Sequence, residues 1–174
     1  MDAVQIKTIS DRPIRFVLNT HWHFDHTGDN ENLGKASVAI VAHDNVRKLM
    51  NADQFLKAFG RKTPAAPKAA LPIVTFSDGV TFHLNGETIQ VFHAPHALTS
   101  GDSIVHFVDA DVIHMGDTYF NGFYPSIDFQ HGGTMEGMIA IAEKVIAMAG
   151  PKTRIIPGHG PLSNRADLMK YRIC

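Results

Sequence analysis

The sequence predicts a single layered domain of mixed α and β structure. The N-terminal third alternates β-branched apolar runs with stretches of helical spacing. From Ile73 to His114 the apolar period falls to two, the spacing of a meander of strands. Helical spacing returns over Thr134 to Ala149, followed by one more strand and a last helix. The chain has 174 residues, enough for one domain with a real core, and shows no internal repeat and no second domain.

Ile14-Arg15-Phe16-Val17-Leu18-Asn19 follows the breaker Pro13 and reads as a buried strand. It runs directly into a histidine cluster. Asn30 to Leu33 is expected as a short helix closed by Gly34, and Ser37 to Ala42 as a second buried strand. Asp44 is placed to cap a helix through Met50 that continues, with a break, to Phe59. Residues 60–72 carry three prolines among alanines and lysines, and read as a flexible surface excursion.

Strands are expected at 73–76, 80–84, 87–93, 103–108 and 111–114, with turns at Ser77-Asp78-Gly79, Asn85-Gly86 and Asp109-Ala110. Asn-Gly between alternating runs is a strong hairpin signal. Met138, Ile141, Ala142, Val145 and Met148 give one helical face, which Gly150-Pro151 ends. Arg154-Ile155-Ile156 is a short strand before Pro157-Gly158-His159-Gly160, and the last helix starts near Asn164.

Composition narrows the function classes. Sixteen basic and 17 acidic side chains give a formal charge of −1, so there is no electrostatic reason to expect nucleic acid or an anionic membrane as partner. No apolar run reaches the roughly 20 residues of a membrane span. The start carries no basic and apolar leader, so the expected location is the cytoplasm, or the periplasm if an N-terminal segment is missing. The single cysteine, Cys174, excludes an internal disulfide framework. Eleven histidines, by contrast, are far more than ordinary composition gives, and they point to metal or acid/base chemistry.

Three segments concentrate that chemistry, each where a strand gives way to a loop. In His21-Trp22-His23-Phe24-Asp25-His26, an extended backbone would turn His21 and His23 to one side, leaving Asp25 and His26 to serve a neighbouring position. Gly116-Asp117 puts a carboxylate just past Val112-Ile113-His114-Met115, and Gly158-His159-Gly160 sets an imidazole on a turn after a strand. His43, His83, His93, His106, His114 and His131 read as structural histidines.

In order and approximate spacing, these three segments resemble the metallo-β-lactamase superfamily over nearly the whole chain. The resemblance implies an αββα sandwich with a two-metal site at one edge of its two sheets. It implies His21 and His23 as ligands of a first metal, Asp25, His26 and His159 as ligands of a second, and Asp117 as the bridge. Zinc, one or two ions, is the expected cofactor, with iron and manganese compatible with the same donors. Asp25 would hold the attacking water and accept its proton. The implied activity is hydrolysis of an amide or ester bond in a small-molecule substrate by a metal-activated hydroxide, a β-lactam first among candidates. An aspartate at position 117 is also similar to the glyoxalase II and lactonase branches, which act on thioesters and lactones. Phe120, Phe123 and Tyr124 would form an apolar wall of the site or pack in the core.

Two departures qualify the resemblance. The family's remaining first-site histidine directly precedes a Thr-x-Gly-Asp segment; here Leu98 precedes Thr99-Ser100-Gly101-Asp102, and leucine cannot ligate a metal. Either His96 moves in to replace it, or the first site keeps only His21 and His23. The family also places several strands ahead of its histidine loop, where this chain has 20 residues. A sheet short of N-terminal strands exposes an apolar edge, so a homodimer or higher oligomer is expected. A second reading follows from the same departures: a metal-poor relative that works as a binding protein.

Overall fold

A computed structural model describes residues 8–56 and 60–173. β1 (Phe16–Leu18) leads through a short helix α1 (Phe24–Thr27) and α2 (Asn30–Lys35) to β2 (Ala39–His43) and α3 (Asp44–Met50). A hairpin, β3 (Gln54–Leu56) with β4 (Arg61–Thr63), and a 3-10 turn (Lys68–Ala70) precede β5 (Val74–Phe76). The meander follows as β6 (Gly79–Leu84), β7 (Glu87–Ala94), β8 (Asp102–Phe107) and β9 (Val112–Phe120). The long helix α4 (Met135–Met148), β10 (Arg154–His159), β11 (Ser163–Asn164) and α5 (Arg165–Ile173) complete the chain.

Two sheets result. A small one runs β1-β2-β5, all parallel, and a six-stranded one runs β11-β10-β9-β8-β7-β6. Val41 and Phe76 from the first meet Val91 and Val105 from the second, so the sheets pack face to face. The other face of the small sheet is covered by α3 and the 3-10 turn, where Ala42, Val46, Met50, Ala70 and Leu71 surround Trp22. The outer face of the large sheet buries Ile104, Ile113, Met115 and Ile155 under Met138, Ile141 and Val145 of α4 and Leu168 of α5. The layers are therefore α, β, β, α, the sandwich expected. Among the described residues no helix is long and apolar enough to cross a membrane.

Local chemistry accounts for most boundaries. Asn85 and Gly86, at φ 57° and 76°, both adopt the left-handed conformation that a tight two-residue hairpin turn demands. Thr134 caps α4 by accepting the Gly137 N–H. The cap of α3 is His43, whose Nδ1 accepts the Asn45 N–H, so Asp44 is the first helical residue and not the cap. Other expectations need correction too. Gly34 does not stop α2 but lies inside it, where a Cβ would stand 1.8 Å from the Ala69 carbonyl oxygen; glycine is there for close packing. The helix expected to run on from Met50 ends there, and Gln54–Leu56 pairs as a strand; residues 57–59 of that expectation lie outside the described residues. Residues 60–72 are no loose excursion, because Ala70 and Leu71 are core residues. Strand β9 also runs on to Phe120, so Asp117 sits within it.

Candidate metal centre

The histidine loop leaves the end of β1 and is tied to both sheets at once. The Asn19 N–H donates to the Val41 carbonyl of the small sheet, and the Thr20 carbonyl accepts the Ser103 N–H of the large one. The loop does not stay extended. His23 caps α1, and the helical turn carries Asp25 and His26 round to a second position. Asp117 comes from β9 and His159 from the end of β10, its parallel neighbour, across a register shift at Pro157 and His159. Gly116 has φ +54° and would, with a Cβ, press on the Thr20 hydroxyl at 2.7 Å, so β9 can approach the loop only because it lacks a side chain there.

Two groups of donors converge. One is His21, His23 and Asp117; the other is Asp25, His26, Asp117 and His159. Asp117 stands between them: Oδ2 lies 3.7 Å from His21 Nε2 and 3.4 Å from His159 Nε2, and Oδ1 lies 3.0 Å from His26 Nε2. Asp25 Oδ2 is 3.3 Å from the Nε2 atoms of both His26 and His159. Six of the seven sequence candidates, His21, His23, Asp25, His26, Asp117 and His159, are thus brought together.

His96 is not among them. It is exposed, its backbone is left-handed at φ 53°, and its Nδ1 bonds the Gly132 carbonyl. Leu98 is fully buried in the cluster beneath α4. The first group is left with two imidazoles and the shared carboxylate.

The charges of the cluster suit a cation. His21 Nε2, His26 Nε2 and Asp117 Oδ1 are buried and lack any well-directed hydrogen bond, despite the 3.0 Å approach of the last two. Buried polar atoms left unsatisfied call for an explanation, and imidazole and carboxylate donors aimed at shared points are what a divalent metal requires. Burial and the neighbouring histidines hold His21 well below its ordinary pKa, keeping it neutral and able to ligate. Burial pushes His26 the same way, but the close carboxylate of Asp117, with Asp25 adding, outweighs it and raises its pKa. Protons compete with a metal for these donors, so affinity falls in acid.

A cavity of about 410 Å³ opens over the second group, lined by His23, Phe24, Asp25, Asp117, Phe120, Phe123, Tyr124, Ser126 and His159. The aromatic residues read as either wall or core divide between the two. Phe120 is buried and stacks on His159 with ring centroids 5.4 Å apart, while Phe123 and Tyr124 are exposed at the rim. Sequence reasoning missed Asp128, and gave no role at the site to His131, read as structural, or to Asp102 of the Thr99-Ser100-Gly101-Asp102 segment. Asp128 Oδ2 reaches His23 Nε2 at 3.0 Å, and Asp102 is a fully buried carboxyl beside the same loop whose pKa burial pushes up to about 7. Asp128 lies in no run that marks it out, and only the fold shows the neighbours of either carboxyl.

Comparison with known proteins adds to this geometry. The family model of the metallo-beta-lactamase superfamily matches residues 3–168. The chain is 31% identical over 152 residues to the probable metallo-hydrolase YqgX of Bacillus subtilis (strain 168), covering 83% of this chain and 68% of that protein. It is 26% identical over 151 residues to a hydroxyacylglutathione hydrolase of Nitrosococcus oceani, covering 85% of this chain and 49% of that enzyme. The chain therefore spans about two thirds and about half of the lengths of these relatives. Among solved structures, TTHA1623 in a di-iron-bound form superposes with a TM-score of 0.76 at 25% identity, over 97% of this chain and 80% of that one.

Proposed function

Because this chain belongs to the metallo-β-lactamase superfamily, we propose that it is a metal-dependent hydrolase acting on an activated carboxylic bond, a thioester or ester before an amide. The observation that carries the reading is Asp117, shared between two convergent donor groups at the floor of an open cavity. The preference for a thioester or ester rests on the likeness to a hydroxyacylglutathione hydrolase and on a donor set of imidazoles and carboxylates without a thiolate. A β-lactam, first among the candidates from sequence alone, remains a substrate of the same chemistry and belongs in the test.

His21, His23 and Asp117 would hold one cation and Asp25, His26, Asp117 and His159 the other. Two divalent cations so held supply a water acidified toward neutrality and a polarised carbonyl. Zinc is the expected ion; iron is supported by the di-iron form of a structural relative, and the donors admit either. Asp25 lines the cavity with its carboxylate partly exposed, within reach of His26 and His159, and would hold the water and take its proton. Buried Phe120 stacks on the His159 ring and backs one of its faces. Phe123 and Tyr124 at the rim offer apolar contact to the substrate's acyl or leaving group.

The test is metal content of protein purified without chelator, then turnover of a thioester, a lactone and nitrocefin after loading with zinc, iron or manganese. Near-stoichiometric metal and turnover of the thioester or ester are expected, with both reduced in Asp117→Ala. Substoichiometric metal and no turnover with any ion would leave the binding-protein reading, which the absence of a third imidazole in the first group favours.

A further inference from the structure

The segment Asp128–His131 lies against the first donor group without belonging to it. Asp128 Oδ2 is 3.0 Å from His23 Nε2. The same carboxylate receives His131 Nδ1, at 2.8 Å to Oδ1 and 2.7 Å to Oδ2. His131 Nε2 reaches Gln54 Oε1 at 3.2 Å, and the Gln54 amide is oriented by donating its Nε2–H to the Leu49 carbonyl. The backbone fixes the assembly as well: the Asp128 N–H donates to the Leu98 carbonyl, the Ser100 N–H donates to the His131 carbonyl, and the Trp22 ring meets His131 edge-on at 4.7 Å. His131 is buried, so this carboxylate is held from several sides rather than swinging on the surface.

The two histidines of the first group are engaged in opposite senses. His21 spends Nδ1 on the Thr20 hydroxyl, which leaves Nε2 free toward Asp117. His23 spends Nε2 on Asp128. A neutral imidazole that donates one N–H has its lone pair on the other nitrogen, and a carboxylate taking that proton orients the ring and makes the lone pair more basic.

Resting on the two-metal reading, we propose that Asp128 is a positioning residue of the first metal position: it takes the Nε2–H of His23, fixes Nδ1 as the nitrogen offered to the cation, and is itself locked by His131 and Gln54. This role matters more here than in a site with three imidazoles, since among the described residues His21 and His23 are the two imidazoles that serve this position beside Asp117.

The experiment is zinc titration of the full chain against a chromophoric chelator, repeated with cobalt to read the ligand field. His23→Ala and His159→Ala identify which of the two affinities belongs to which position. Asp128→Ala is expected to weaken the position that His23→Ala abolishes by about 10- to 100-fold, and to change the one that His159→Ala abolishes by less than about threefold. Asp128→Asn keeps an acceptor for the His23 N–H but not the charge; it is expected to lie between wild type and Asp128→Ala, with an altered cobalt spectrum and an unchanged melting temperature without metal. Should Asp128→Ala fail to fold, Asp128→Asn decides. Wild-type affinity at both positions in a folded variant, or equal loss at both, overturns the inference while leaving the two-metal reading intact. A wild-type protein that binds no metal overturns both.

Discussion

Gly158 packs so tightly on Asp117 that a Cβ at residue 158 would stand 1.9 Å from Asp117 Oδ1 and 2.6 Å from the Gly116 carbonyl carbon. β10 and β9 therefore approach each other at this point only because residue 158 has no side chain, and that approach fixes the carboxylate between the two donor groups. Gly158→Ala must push either the strand or the carboxylate aside. Overpacking of this kind costs about 1–3 kcal/mol of stability. Metal content and turnover are expected to fall together, by tenfold or more in kcat/KM, measured beside denaturant melts of the metal-free protein. Full metal loading in Gly158→Ala would mean that Asp117 is not held by this contact.

His96 gives the opposite expectation. Its imidazole bonds the Gly132 carbonyl away from both donor groups, and its left-handed backbone is one that asparagine also tolerates. His96→Asn should leave metal stoichiometry and turnover as in wild type and shift stability by less than about 1 kcal/mol. Loss of one metal equivalent in elemental analysis would restore His96 as a ligand.

Metal should stabilise the fold through the shared carboxylate. A ligand that binds only the native state adds about 3–4 kcal/mol at 100 to 1,000 times its dissociation constant. Zinc added to metal-free protein is expected to raise the melting temperature by several degrees. In Asp117→Ala, which strips one donor from each group, most of that rise should vanish. An undiminished rise would show that zinc stabilises through some other site.

The parts of this molecule legible in the sequence are those fixed by local chemistry. Asn85-Gly86 specifies its turn by backbone conformation, and the spacing of Met138, Ile141, Ala142 and Val145 specifies the buried face of α4. His21 to His26 was legible as a metal loop because three imidazoles and a carboxylate fall within six residues. What stayed hidden depends on contacts between distant segments. Gly34 reads locally as a helix stop, but what requires a glycine there is the Ala69 carbonyl packed against it. His96 looked like a replacement ligand because an extended chain would have put it on the right side, but its positive φ turns it outward. Asp128 lies 105 residues from the His23 ring it contacts, and no periodicity links them.

Asp102 gives a pH signature that the sequence did not suggest. It is 2% exposed and accepts the Thr99 N–H at 2.6 Å and the Thr99 hydroxyl at 3.1 Å, but burial dominates and raises its pKa from 3.8 to about 7. A carboxyl whose folded pKa is raised binds more protons in the native state than in the unfolded one between these two values, so stability falls with rising pH there. Its contribution is fully present below pH 3.8, shrinks through the window, and is gone above about 7. Asp102→Asn cannot ionise and lacks this slope. Groups common to both proteins cancel in the difference, so wild type should lose ground to Asp102→Asn by about 2–3 kcal/mol between pH 5 and pH 8. Urea melts in chelator at pH 5, 6, 7 and 8 measure it, and parallel curves across that range would show that Asp102 is ionised in the native state throughout.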